Sequence, residues 1–171
     1  MSPMTVETTQ VESVLERATA LGLSPPTFLA LLPRNFFDAD DRADLIHESN
    51  ATTIRKLWKR NKISETPLEP PEVVFPVVVE RSADWVAPTV FVSSMLLTSN
   101  PALVSLAIGV IANYATDFLK GRVAKPTVRL DVVVETTKSK SFRRISYTGP
   151  VDGLNNLPDI VREVGQLDDT Q

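Results

Sequence analysis

The chain has 171 residues, 43% hydrophobic and 23% charged, with a net charge of −3. That fits one globular domain or two small ones and excludes a disordered, collagen-like or coiled-coil chain. With no Cys, one His and six Gly, it excludes disulfide scaffolds, thiolate zinc sites, Fe–S clusters, cysteine nucleophiles, His-rich metal sites and glycine-rich phosphate loops.

The N-terminal segment has neither a basic n-region nor an apolar h-region, so no secretory signal and a cytoplasmic location are expected. Thr9-Gln10-Val11-Glu12 fits a capping box, and Val11, Val14, Leu15, Ala18 and Leu21 follow at helical spacing. This predicts a helix over 10–21 with Gly22 as its left-handed exit. Pro25-Pro26 and the apolar Phe28, Leu29, Leu31 and Leu32 predict a short helix ending at Pro33. The acidic run Asp38 to Asp44 has Arg42 and Ala43 where a calcium loop needs an oxygen ligand and Gly, so it reads as the cap of a short helix ending near Ile46. His47 then stands at a helix end, as a structural residue. A further helix is predicted over 50–61, with Ile54, Leu57 and Trp58 on one side.

Residues 63–72 carry three prolines and read as a linker. The β-branched run 73–79 predicts a strand, with Pro76 confining it to an edge, a bulge or a strand start. Residues 87–98 fit both periods; the helical one is preferred. Asn100, Pro101 and Gly121 punctuate a helix over 101–120, so apolar that it is expected to be the central core element, with a narrow stripe of Ser105, Gly109, Asn113, Thr116 and Asp117. Asp117 sits near Lys120 on that stripe, and a structural role is preferred over acid–base work. Residues 128–135 alternate as a strand with one wet and one dry face, 137–141 form a hairpin loop, and 142–147 return as its partner. Leu154, Leu157, Val161 and Val164 space as one face of a last helix, and 166–171 as a frayed tail.

Charge is uneven along the chain. Residues 49–64 carry five basic and no acidic groups, and 120–147 carry eight basic against Asp131 and Glu135. Two candidate interaction surfaces follow. Arg55, Lys56, Trp58, Lys59, Arg60 and Lys62 combine cations with an aromatic, and Lys138, Lys140, Arg143 and Arg144 load the hairpin. Such residues suit phosphate or an acidic partner, and Trp58 could stack on a base or sit at a membrane interface. The overall acidic balance, with a pI near 5.2, weighs against nucleic acid. The bland alternatives are a solvated helix face with Trp58 packed inward, and a hairpin whose charges deter strand pairing.

From Pro101 onward, an apolar helix ending in Leu119-Lys120-Gly121, the hairpin 128–147, and Gly149-Pro150-Val151-Asp152-Gly153-Leu154 leading into a last helix resemble the effector-associated constant components, small accessory modules of bacterial conflict systems. The resemblance covers 101–165 and rests on apolar spacing. It implies a non-enzymatic, partner-binding role beside a separate effector, and it carries over no catalytic residue.

The expectation is therefore an α+β protein: a helical subdomain over 8–62, a linker over 63–72, and a β-α-α-β-β-α unit over 73–165 whose small, mostly antiparallel sheet is covered by helices. Its expected function is a non-catalytic protein-interaction module with no cofactor, no metal and no catalytic residues. Its expected partner is another protein. The alternatives are a nucleic-acid-binding accessory protein using 55–62 and 138–144, and a membrane-active protein using the apolar segment 86–119. The oligomeric state is left open.

Overall fold

The structure is a computed structural model and describes residues 4–68, 77–78, 85–121 and 127–167. The protein is α+β. Its main sheet comprises β1 (Thr5–Val11), β2 (Leu29–Leu32), β5 (Trp85–Val86), β6 (Thr89–Val92), β7 (Val128–Glu135) and β8 (Phe142–Gly149). The order is β1-β8-β7-β6-β2, with β5 alongside β7. The pairings β1–β8, β7–β8 and β2–β6 are antiparallel, while β6–β7 and β5–β7 are parallel, so the sheet is mixed. A separate parallel pair joins β3 (His47–Glu48) to β4 (Val77–Val78).

A parallel pair needs a crossover connection. Between β6 and β7 it is supplied by α3 (Ser94–Ser99) and α4 (Pro101–Leu119). These pack on one face of the sheet with α2 (Ala51–Arg60) and α5 (Leu157–Gly165). That face contributes Leu29, Leu31, Val90, Val92, Leu130, Val132, Val134 and Ile145. The other face, through Ala30, Leu32, Phe91, Val133 and Phe142, is covered by α1 (Val14–Ala20) and by Phe36, Ala39 and Leu45 from the connection after β2. The middle strands are thus buried on both sides. β7 alternates only at its start, where Arg129 is exposed, and from Val132 to Glu135 every residue is buried.

This two-sided burial corrects several sequence expectations. Residues 10–21 are not one helix: Thr9 lies in β1, and the N-cap that forms is Ser13, whose side chain accepts from the Glu16 amide at 3.2 Å. The run 29–32 and the segment 89–92 are strands, β2 and β6, because a continuous apolar run buried on both faces carries no period that separates strand from helix. Of the expected helix 87–98 only 94–98 is helical, within Ser94–Ser99. The acidic run shapes a single 3₁₀ turn, Arg42–Asp44, and His47 sits in a buried strand instead of at a helix end.

The expected helical subdomain 8–62 contributes β1 and β2 to the same sheet as β6–β8, so the sheet draws strands from both sides of the expected boundary. The first half of the expected linker is packed: Ile63 and Leu68 are buried, and the Thr66 amide donates to the Leu29 carbonyl at 2.6 Å. Residues 69–72, most of the expected strand 73–79 and the end of the tail lie outside the described residues.

The elements α4, β7 and β8 lie where the spacing puts them. α4 is less enclosed than expected. Val104, Ala107, Ile108, Ile111, Ala112 and Ala115 are buried, whereas Leu106 and Phe118 are exposed and Ser105 and Gly109 half-buried. By length and composition α4 could cross a membrane, yet its buried face is occupied by the sheet. The last helix begins as a 3₁₀ turn, Val151–Asn156. There Tyr147 Oη donates to the Pro150 carbonyl and lies against Gly153, where an added Cβ would clash with the Tyr147 hydroxyl and ring. Burial, and then Asp152, push the Tyr147 hydroxyl pKa up and keep it a donor. A Gly153→Ala substitution must displace the ring or the turn, and overpacking of this kind costs about 1–3 kcal/mol. Urea unfolding of the variant is expected to show that loss with an unchanged m-value.

Candidate interaction surface

The first basic cluster is built on α2. Ala51, Ile54 and Trp58 recur at helical spacing and are buried. Full burial of side chains such as Ile54 contributes about 1.5–3 kcal/mol each. The Trp58 indole N–H donates to the Ala107 carbonyl of α4 at 3.1 Å, which satisfies its one polar atom inside the core. The opposite side of the helix holds Thr52, Lys56, Lys59 and Arg60, all exposed. Lys59 and Arg60 fall in the last turn, where cations meet the negative end of the helix dipole.

The helix closes in a Schellman arrangement. The Ile63 amide reaches the Trp58 carbonyl at 2.8 Å, the Lys62 amide reaches Lys59 at 3.1 Å, and Ile63 is buried beneath the cap. Lys62 occupies the left-handed position, φ 62°, that Gly usually fills. The exposed cations Lys56, Lys59, Arg60 and Lys62 make no ion pair among the described residues.

Arg55 does not belong to that face. Its Nε lies 2.8 Å from Glu65 Oε1, tying α2 to the segment after it. Burial raises the Glu65 pKa, with Arg55 acting in the opposite sense. Nearby His47 is held down from the ordinary 6.5 to about 4, first by burial and then by the Arg55 charge. Glu48 beside it is buried and pairs with Arg34 at 3.2 Å.

The second cluster does not form one patch. Arg143 and Arg144 are neighbours on a strand, so they point to opposite faces of the sheet. Arg144 lies over the Phe37 ring at 4.9 Å on the α1 side. Lys140, at φ 52°, donates from Nζ to Ser94 Oγ at 2.8 Å. Ser94 in turn donates from Oγ and its backbone N–H to Glu135 Oε1, at 2.7 and 2.9 Å. This buried carboxylate caps α3 and ties the hairpin to it. Ser94 is 5% exposed, and the network braces the hairpin against α3. Lys138 is left as an exposed cation at the hairpin tip.

Trp58 stands among the candidate surface residues by adjacency in the chain, but its spacing from Ile54 puts it on the inner side, and the structure bears out the reading of a solvated helix face with Trp58 packed inward. The pairing of Glu135 with Ser94 has no signal in the sequence, since nothing local connects them. A shallow cleft of about 280 Å³ lies among Leu97, Thr98, Pro101, Thr137, Gly165 and Gln166. Its charged side chain, Arg162, already pairs with Asp159. No three His, Cys, Asp or Glu side chains gather to hold a metal among the described residues. No family model, curated protein or solved structure matches the chain.

Lys62→Gly removes a strained left-handed side chain. It is expected to stabilise the fold by about 0.5–1 kcal/mol, which calorimetry should show as a Tm higher by roughly 2 °C. His47 predicts a pH dependence. Its folded pKa lies below its unfolded one, so its contribution is fully present above about pH 6.5 and is lost as pH falls toward 4, by about 3 kcal/mol. Glu65, with a raised pKa, works in the opposite sense. The difference between the wild type and His47→Gln isolates the histidine: urea titrations should show a flatter decline for the variant over that window.

Proposed function

We propose that the chain is a non-catalytic protein-interaction module, accessory to an effector of the conflict-system kind that its C-terminal half resembles. We place its contact surface on the outer face of α2. The observation that carries the reading is the division of this helix. Its inner side is locked to α4 through Ile54 and Trp58, and its outer side presents Lys56, Lys59, Arg60 and Lys62 without ion-pair partners among the described residues. A helix held rigidly by its apolar side offers its charges with little further loss of backbone freedom, which favours docking of an acidic surface.

A protein partner is favoured over single-stranded nucleic acid because the stacking aromatic is missing. Trp58 is fully buried, whereas single-strand binders combine cations with exposed rings. The hairpin cations do not extend the patch, because Arg143 and Arg144 face opposite sides of the sheet and Lys140 is engaged by Ser94. A cytosolic setting, where effector and module would meet, completes the proposal.

The test is affinity capture from native lysate with the full chain and with Lys56→Gln/Lys59→Gln/Arg60→Gln. These exposed, helix-compatible changes leave the buried face untouched. The wild type is expected to retain an acidic protein that elutes as salt rises and that the triple variant loses at least tenfold. Capture that nuclease treatment abolishes would transfer the reading to nucleic acid, and identical capture by both proteins would refute the assignment to α2.

A further inference from the structure

We propose that β1 pairs with β1 of a second copy of this chain, antiparallel about Thr8, joining two main sheets into one across a two-fold axis.

The two edges of the sheet are treated differently. The β2 edge is four residues long, wholly buried, and covered on its outer side by 63–68. There the Thr66 amide reaches Leu29, Leu31 donates its backbone N–H to the Glu65 carboxylate, and Arg55 holds Glu65 in place. Among the described residues the β1 edge has no such cover. β1 runs seven residues in unbroken register with β8, from Thr5 opposite Thr148 to Val11 opposite Phe142. Among the described residues its backbone bonds to nothing else. Thr5, Glu7, Thr8, Thr9 and Gln10 are exposed, so neither face of the strand is roofed.

Exposed edges are usually defended by lysine, proline, a bulge or brevity. β1 has none of these, and its one charge is Glu7. Its Thr and Val residues also favour the pleated conformation.

The sequence fits itself. Centred on Thr8, an antiparallel pair sets Thr5 opposite Val11, Val6 opposite Gln10, Glu7 opposite Thr9, and Thr8 opposite its own copy. All seven positions are matched and no carboxylate faces another. A two-fold axis at a residue also brings outward-facing amides and carbonyls opposite their counterparts, because positions of equal parity meet. Centring on Glu7 would oppose like charges, which is unfavourable. The same patch serves both copies, as a closed two-fold interface requires. A seven-residue edge lies at the small end of specific contacts, so the dimer is expected to depend on concentration.

The test uses the full chain, which has no natural Cys, with Thr8→Cys and Gln10→Cys made separately. At the axis the two Thr8 Cα atoms stand about 4.5–5.5 Å apart, within disulfide reach. Two copies of Gln10 lie four residues apart along the strands, about 13 Å. Mild oxidation is expected to cross-link Thr8→Cys and leave Gln10→Cys monomeric. Sedimentation of the wild type should show a dimer fraction rising with concentration, weakened about fivefold by Thr8→Lys, which opposes two charges at the axis. A wild type that stays monomeric at 1 mM overturns the proposal, as does equal cross-linking of both cysteine variants. So does protection of β1 amides that appears only when a different protein is added, since the occupant is then a foreign strand.

Discussion

The parallel pairing of β6 with β7 is the constraint on which the rest of the structure depends. Its three registered pairs, Val90 with Val132, Phe91 with Val133 and Val92 with Val134, place apolar side chains on both faces of the sheet at once. A parallel pair cannot be closed by a tight turn, so the chain must leave the sheet and return over one face. α3 and α4 make that return, and α4 then becomes the floor for α2, whose indole N–H ends on an α4 carbonyl. The opposite face must also be covered, because Phe91 and Val133 point into it. α1 and the segment around Phe36 and Leu45 do so. The outer face of α2 is available for contact because the crossover fixes where its inner face goes.

The parts legible in the sequence are those whose determinants are local. α4 carries its own cap residue, its own Pro at the first position and its own Gly at the exit, and β7 and β8 are joined by a short polar loop. The N-terminal third was misread because its determinants are distant. Thr9-Gln10-Val11-Glu12 and Ser13-Val14-Leu15-Glu16 are equally good capping boxes by composition. The choice between them is made by β8, more than 130 residues away, which takes Thr9 into a strand opposite Arg144. The run 29–32 is similar. Leu29 and Leu31 meet one core, Ala30 and Leu32 the other, and a segment that is apolar on every side has no polar phase from which to read its period.

The candidate surface shows both sides of the same limit. The helical phase that buries Ile54 also buries Trp58, so the loss of the aromatic from the basic face was present in the spacing. The strand phase that buries Ile145 and Tyr147 on one face sends Arg143 to that face and Arg144 to the other. Proximity in the chain groups these residues, whereas the two periods separate them. The engagement of Arg55 by Glu65 and of Lys140 by Ser94 is a different matter, since each partner is fixed only once the sheet has formed.

These engagements separate structural charge from surface charge. Arg55 is held by a carboxylate whose own pKa is raised by burial, and it contributes to lowering the pKa of His47. It therefore acts inside the fold, securing the segment that covers the β2 edge. Buried charges are costly unless paired, and removing one partner leaves the other uncompensated. Substitution at Arg55 therefore perturbs packing and edge cover together. Lys56, Lys59 and Arg60 carry no such obligation, and at exposed sites their contribution to stability is small. Removing them tests contact while leaving the buried face of α2 in place.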